Sequence, residues 1–328
     1  MLDITTPQHC KYSTFLNFYR YLPSFLYIQI YQNSTNVMPQ PLTIVVTGSN
    51  RGIGQGIIQL LAKTQHPQPL HIYATSRGGV DLGIQATPPN EIRYAKLDVS
   101  DKTSISSFLK TALKENGKID RLINNAGVNN NGNETAETAE QTININYHAT
   151  KQMCQSFLSE GKMSSTPGAR IINVSSTASV LSNYPPNMQS EFRNCKKIEE
   201  VDALADRYIS SVKNGEQEAA SFGAPPKSYQ VSKALINALT VVLAQQNSDV
   251  AINCCCPGWV DSDMGNQIGR PPKTLEEGAR IPVRLAIGDL GVGGDGDGGL
   301  GKGEERVNGR YFGNDGVSDR GWGRAREW

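Results

Sequence analysis

The chain has 328 residues, a formal net charge of +1 and 19% charged residues. That length suits one large α/β domain or two small ones, either able to bury a substantial core. The near-neutral balance and the lack of a basic stripe argue against nucleic acid and against a membrane surface as partner.

Residues 15–31 (FLNFYRYLPSFLYIQIY) are aromatic and apolar, but Arg20, Pro23 and Gln29 interrupt them, short of the roughly 20 apolar residues a membrane span needs. No small-residue cleavage site follows, as a secretory signal would need, while Lys11 and Arg20 with Asp3 as the one acid leave a mitochondrial presequence open. The favoured reading of residues 1–37 is an extension the domain can do without, or a misplaced start, with one domain over 38–328. From residue 42 short β-branched runs alternate with amphipathic stretches, which predicts a doubly wound α/β fold: a parallel sheet with helices on both faces. Strands are predicted at 43–47, 70–75, 92–96, 119–124, 169–174 and 250–253. Helices are predicted over 54–63, from the turn at 98–100, over 134–159 as one long helix, and over 232–246. The charged segment within 187–222 reads as an inserted pair of helices, the insertion spanning about 183–226. The glycine-rich stretch 288–303 is predicted to be a mobile loop. A last edge strand is predicted near 310–312.

Directly after the first strand comes Thr47-Gly48-Ser49-Asn50-Arg51-Gly52-Ile53-Gly54, opening a helix. Glycines allow the tight turn and close backbone approach to a pyrophosphate, and the helix N-terminus offers unpaired N–H groups to it. An NAD site places an acid near the end of the second strand to bond the ribose 2′-hydroxyl. Here that place reads Thr75-Ser76-Arg77. Arg77, with Arg51 as a second cation, suits a 2′-phosphate, so NADPH is the expected cofactor. The alternative is that both arginines are solvated surface residues.

Tyr229-Gln230-Val231-Ser232-Lys233 sets a phenol and an ammonium four residues apart, on one helix face. A nearby cation is expected to lower the phenol's pKa and fit it for proton exchange. The six cysteines (Cys10, Cys154, Cys195 and the run Cys254-Cys255-Cys256) lack CxxC spacing, so no metal is expected. They read as free thiols of a reducing, cytoplasmic compartment.

Taken together, TGSNRGIG, Asp98 in LDVSD, Asn124-Asn125-Ala126-Gly127, Asn173-Val174-Ser175-Ser176, the Tyr229/Lys233 pair and CCPGWV strongly resemble the short-chain dehydrogenase/reductase family over roughly 42–265. The later run Pro257-Gly258-Trp259-Val260-Asp261-Ser262-Asp263-Met264, the helical insertion and Glu276-Glu277-Gly278-Ala279 resemble its monomeric NADPH-dependent carbonyl reductases. The resemblance implies that Tyr229 donates a proton to the developing alkoxide and that Lys233 lowers its pKa while bonding the nicotinamide ribose. It implies that Ser176, rather than Ser175, bonds the substrate carbonyl, and that Asn146 holds a proton-relay water, the other reading of Asn146 being a structural polar group. Gly48, Asn50, Arg51, Gly52, Ile53, Gly54 and Arg77 would bind the phosphates, and Asp98, Val99 and Asn125 the adenosine half. Pro257, Gly258, Val260 and Ser262 would lie near the nicotinamide. Cys256 and His148, the latter with no obvious partner, read as structural. Many members form tetramers by packing helices where the insertion falls, so a monomer is expected. The expected reaction is NADPH-dependent reduction of a small carbonyl substrate. Oxidation of a biosynthetic alcohol and a non-catalytic NADPH-sensing role are the alternatives, the last weakened by the presence of Ser, Tyr and Lys together.

Overall fold

The computed structural model describes residues 39–288 and 307–328. The expectations placed on residues 1–37 and on the glycine-rich stretch after Gly288 lie outside the described residues.

The unit Pro41–Trp328 is built on a sheet of eight strands: β1 (Leu42–Thr47), β2 (Leu70–Ser76), β3 (Glu91–Lys96), β4 (Arg121–Asn124), β5 (Arg170–Val174), β6 (Ala251–Cys255), β7 (Tyr311–Gly313) and β8 (Arg324–Arg326). Their spatial order is β3-β2-β1-β4-β5-β6-β7-β8. All pairings are parallel except β7 with β8. β1 (LTIVVT) is buried at every position, because a central parallel strand is covered on both faces and has no use for polar alternation. The chain runs from β1 outward to β3, then returns to lay β4 on the other side of β1. That reversal makes a crevice at the carboxyl ends of β1 and β4, where doubly wound folds hold their ligands. Gly48, Arg77, Asn125, Ser176 and Pro257 all follow carboxyl ends of strands and so converge on this edge.

Helices α1 (Gly52–Lys63) and α8 (Leu275–Ile287) cover one face, with Ile57, Ile58, Leu61 and Val283 against Ile44, Val46 and Ile72. They cross closely at Gly56, where a Cβ would lie 2.4 Å from the Leu275 carbonyl oxygen. The other face carries α2 (Lys102–Asn116), α3 (Ala136–Ile143), α4 (Ala149–Ser159), the inserted α5 (Pro186–Asn194) and α6 (Ile198–Asn214), and α7 (Ser228–Gln246). No helix among the described residues is long and apolar enough to cross a membrane.

Three details differ from the sequence expectation. The long helix of 134–159 begins later and contains a π-helical turn, Asn144–His148, between α3 and α4. The strand at 311–313 is not the edge: β8, a three-residue arginine-rich strand with no apolar signal, pairs outside it. Finally, α7 starts four residues before the predicted Ser232, because its cap comes from a distant loop rather than from its own flank.

Candidate active site

The glycine-rich turn is shaped by contacts that no side chain could share. Gly48 has φ +63°, and a Cβ there would stand 2.9 Å from Cα of Ala126. At Gly54 a Cβ would fall 2.2 Å from the Gly48 carbonyl oxygen. Ser49 is buried, and its amide and hydroxyl both donate to the Thr75 carbonyl at 3.0 and 3.1 Å, tying the turn to the end of β2. α1 then begins with no side-chain cap and no acid in its first turn. Its leading N–H groups and positive dipole end are therefore left for an external anion. Asn50 and Arg51 are exposed beside it, and Ile53 is half-buried. The side-chain Nδ2 of Asn125 donates to the carbonyls of Thr47 (2.9 Å) and Gly48 (3.2 Å), so this residue, expected at the adenosine half, braces the turn's backbone.

Arg77 is exposed just past β2, with Asp98 and half-buried Val99 beyond the end of β3. The Asp98 carboxylate accepts from the Ser100 hydroxyl at 2.7 Å and amide at 3.0 Å. Those bonds hold its pKa below the usual value, with Arg77 and Lys96 adding to the effect. This end of the crevice thus offers a glycine cradle, a free helix terminus, a fixed acid and exposed arginines, a donor set that fits a phosphorylated dinucleotide such as NADPH.

Ser176, two residues past β5, stands near Tyr229, the second residue of α7, close enough to lower the phenol's pKa. Ser176 is half-exposed, whereas Ser175 is buried with its hydroxyl on the Lys233 carbonyl at 3.3 Å. Lys233 is buried beneath Tyr229. Its Nζ donates to the Val174 carbonyl at 2.9 Å and lies 5.6 Å from the centre of the phenol ring. Burial pulls the ammonium down to about 8, partly opposed by Cys256 and Cys255. Burial likewise pushes the phenol up to about 12, against the lowering pull of Ser176. The ammonium was expected to depress the phenol; burial is instead the largest influence on it and raises it, while Nζ donates to the Val174 carbonyl. A phenol holds its proton at neutral pH with or without this shift.

Asn146 sits in the π turn, where its Oδ1 accepts from the Val128 amide at 2.8 Å. Its Nδ2 donates to the Val128 carbonyl and to the Ser232 hydroxyl, both at 2.9 Å, and that hydroxyl donates to the Tyr229 carbonyl at 2.7 Å. The Asn146 side chain thereby joins the loop after β4 to the helix of Tyr229. His148 places Nδ1 3.9 Å from Asp202 of α6, beyond hydrogen-bond reach, and burial with Lys151 nearby holds its pKa below the usual value. Tyr147 and Lys151 donate to Asp202, at 2.8 and 2.7 Å, so the insertion is latched to the π turn.

The run from Pro257 closes the crevice from the far side. Gly258 has φ +86°, and a Cβ there would meet the Val317 carbonyl oxygen at 2.6 Å. Buried Lys273 donates to the Pro257 carbonyl at 2.7 Å. Val260 is bridged to Lys273 and packs so tightly on α8 that a Cβ at Gly278 would lie 2.5 Å from it. The Ser262 hydroxyl accepts from the Gly265 amide at 3.1 Å, and its Cβ would be 3.5 Å from a Cβ on Gly52. Arg51 reaches Asp263 at 3.4 Å across the same gap. Cys256 is buried with its sulfur accepting from the Thr177 and Gly258 amides, which suits packing. Among the described residues no cluster of His, Cys, Asp or Glu is placed to hold a metal.

Sequence reading missed Ser232, Lys273, Asn131 and Glu134. Ser232 lay inside the Tyr/Lys spacing, and a polar residue buried on a helix was the available signal. Lys273, Asn131 and Glu134 act over long separations and leave no local pattern.

The family profile described as short chain dehydrogenase matches residues 42–188. The (+)-neomenthol dehydrogenase of Arabidopsis thaliana is 32% identical over 281 residues, covering 75% of this chain and 92% of that protein. Carbonyl reductase (NADPH) 3 of Mus musculus is 33% identical over 257 residues, covering 74% and 90%. Among solved structures, salutaridine reductase from Papaver somniferum superposes with a TM-score of 0.68 at 24% identity, covering 82% of this chain and 99% of that one, which speaks to the fold. A Rossmann-like sheet carrying Ser176, Tyr229 and Lys233 at its carboxyl edge defines an oxidoreductase of nicotinamide type. The chain belongs to the short-chain dehydrogenase/reductase family.

Proposed function

We propose that the protein reduces the carbonyl group of a small aldehyde, ketone or quinone to an alcohol with NADPH, with Tyr229 as proton donor. The observation that carries this reading is the placement of Tyr229 over buried Lys233, near Ser176, at the carboxyl edge of the sheet, with an uncapped helix start and a glycine cradle at the other end of the crevice. NADPH, when bound, supplies the hydride; the protein orients, excludes water and moves a proton. The Ser176 hydroxyl and the Tyr229 phenol would converge on the carbonyl oxygen, where negative charge grows as the carbon is reduced. Tyr229 then gives its proton to that oxygen, and Lys233 beneath it steadies the phenolate left behind.

Exposed Arg77 and Arg51 beside the phosphate cradle, without an acid at the end of β2, support NADPH over NADH. The name of the mouse relative, a carbonyl reductase (NADPH), points the same way. The Arabidopsis relative, named a dehydrogenase, favours the reverse reaction as the second reading: oxidation of an alcohol at the same site. We further infer a monomer, because α6 packs over α3 and α7, and a cytoplasmic location, from the described cysteines, which are all free and buried. NADPH consumption across a panel of quinones, aldehydes and ketones tests the reading. Turnover of at least one class, abolished in Tyr229→Phe with NADPH binding intact, is expected; silence across the panel would refute it.

A further inference from the structure

The helix that carries Tyr229 and Lys233 does not cap itself. Lys227, its N-cap residue, makes no side-chain cap bond, although a helix start leaves several N–H groups wanting acceptors. The acceptors come from the segment after β4, far away in sequence. The Glu134 carboxylate takes the Lys227 amide at 3.0 and 3.1 Å and the Ser228 amide at 2.6 Å. Asn131 Oδ1 takes the Tyr229 amide at 3.0 Å and the Ser228 hydroxyl at 3.1 Å. Asn131 Nδ2 donates to the Gln230 side chain at 2.6 Å. Four successive residues, 227–230, are therefore held by two side chains. The cap is itself anchored: Tyr208 of α6 donates to Glu134 at 3.4 Å, and Val128, at the head of the same segment, is clamped by Asn146.

Two features give this cap a bearing on chemistry rather than on helix stability alone. Tyr229 is the second residue of α7, so slack in the first turn passes straight to the phenol. The capping segment also follows directly on Asn125-Ala126-Gly127, where a Cβ at Gly127 would lie 3.7 Å from Lys233 Nζ. One loop thus borders the ammonium at its start and fixes the tyrosine backbone at its end. We propose that Asn131 and Glu134 are positioning residues for the reduction: a cap supplied from outside the helix that sets the Tyr229 hydroxyl against Ser176. This rests on the proposed reductase reading.

The test uses the full chain with Asn131→Leu, Glu134→Ala and Asn131→Asp. The aspartate keeps the acceptor for the Tyr229 amide, gives up the donor to Gln230 and adds a negative charge at the helix N-terminus, where the dipole favours it. Three quantities are read: kcat on the best carbonyl of the panel, NADPH Kd, and hydrogen exchange of the amides of residues 227–229 without cofactor. Since misplacement by about 1 Å can cost on the order of 100-fold, Asn131→Leu and Glu134→Ala should lower kcat by about 10- to 100-fold. NADPH Kd should stay within about twofold, the amides should exchange faster, and Asn131→Asp should recover most of kcat. Faster exchange with unchanged kcat would overturn the proposal, as would a kcat loss matched by loss of NADPH binding, or an aspartate variant no better than the leucine. Silence of the parent enzyme across the panel would instead strike the reductase reading, and this proposal with it.

Discussion

Replacing Lys233 by methionine should inactivate the protein and, at neutral pH, make it more stable. Lys233 is buried, and its pKa falls from 10.5 to about 8 on folding. At about 1.4 kcal/mol per pH unit, folding disfavours its ammonium relative to the amine by about 3 kcal/mol. The sign follows from proton counts. Below pH 8 the lysine is charged in both states and the penalty is complete. Between pH 8 and 10.5 the folded chain sheds its proton first, the unfolded chain binds more, and stability rises with pH until the penalty is gone. Methionine has no such penalty but forfeits the ammonium's bond to the Val174 carbonyl, worth about 2 kcal/mol for a charged donor. Lys233→Met should therefore exceed the parent by about 1 kcal/mol at pH 7, a margin that shrinks or reverses by pH 10.5. Urea unfolding of both proteins without cofactor, at the two pH values, measures this directly. An unchanged margin would refute a desolvated ammonium at this position, and retained carbonyl turnover would refute its use in the reaction.

Arg77→Asp should move preference from NADPH toward NADH, read as the ratio of kcat/KM values for the two cofactors; an unchanged ratio would remove Arg77 from the 2′-phosphate. Gly48→Ala should weaken NADPH binding and lower the unfolding midpoint, because the left-handed backbone costs alanine about 1–2 kcal/mol and its Cβ would press on Ala126. Unchanged binding and midpoint would count against the tight cradle. Lys273→Met should weaken NADPH binding with little effect on overall stability, since it unties the Pro257 carbonyl while relieving a buried cation whose pKa desolvation lowers. Binding equal to the parent's would show that the loop holds its shape without this lysine.

What could be read from the sequence was local. The run LTIVVT announced a strand covered on both faces, and TGSNRGIG announced a tight turn into a helix, because hydrophobic pattern and glycine geometry act over a few residues. Tyr229 and Lys233 shared a helix face by spacing alone. Interactions between distant segments stayed hidden. β8 forms from Arg324–Arg326, whose composition says nothing of a strand, because pairing with β7 supplies the reason. The start of α7 was misplaced because Glu134 and Asn131 cap it from almost a hundred residues away. The bonds of Tyr147 and Lys151 to Asp202 stayed hidden because Asp202 arrives on the insertion. The burial of Tyr229, which raises its pKa, was equally out of view, because spacing reveals the cation whereas burial is a property of the folded whole.

The most direct test is a structure of the protein with NADPH and a slowly reduced carbonyl compound, solved together with single-turnover rates for the parent and Tyr229→Phe. The expected result places the carbonyl oxygen within hydrogen-bonding distance of both the Tyr229 and Ser176 hydroxyls, with Lys233 against the cofactor ribose and no turnover in the phenylalanine variant. A Tyr229 hydroxyl turned away from the nicotinamide, or undiminished turnover without it, would contradict the proposed chemistry.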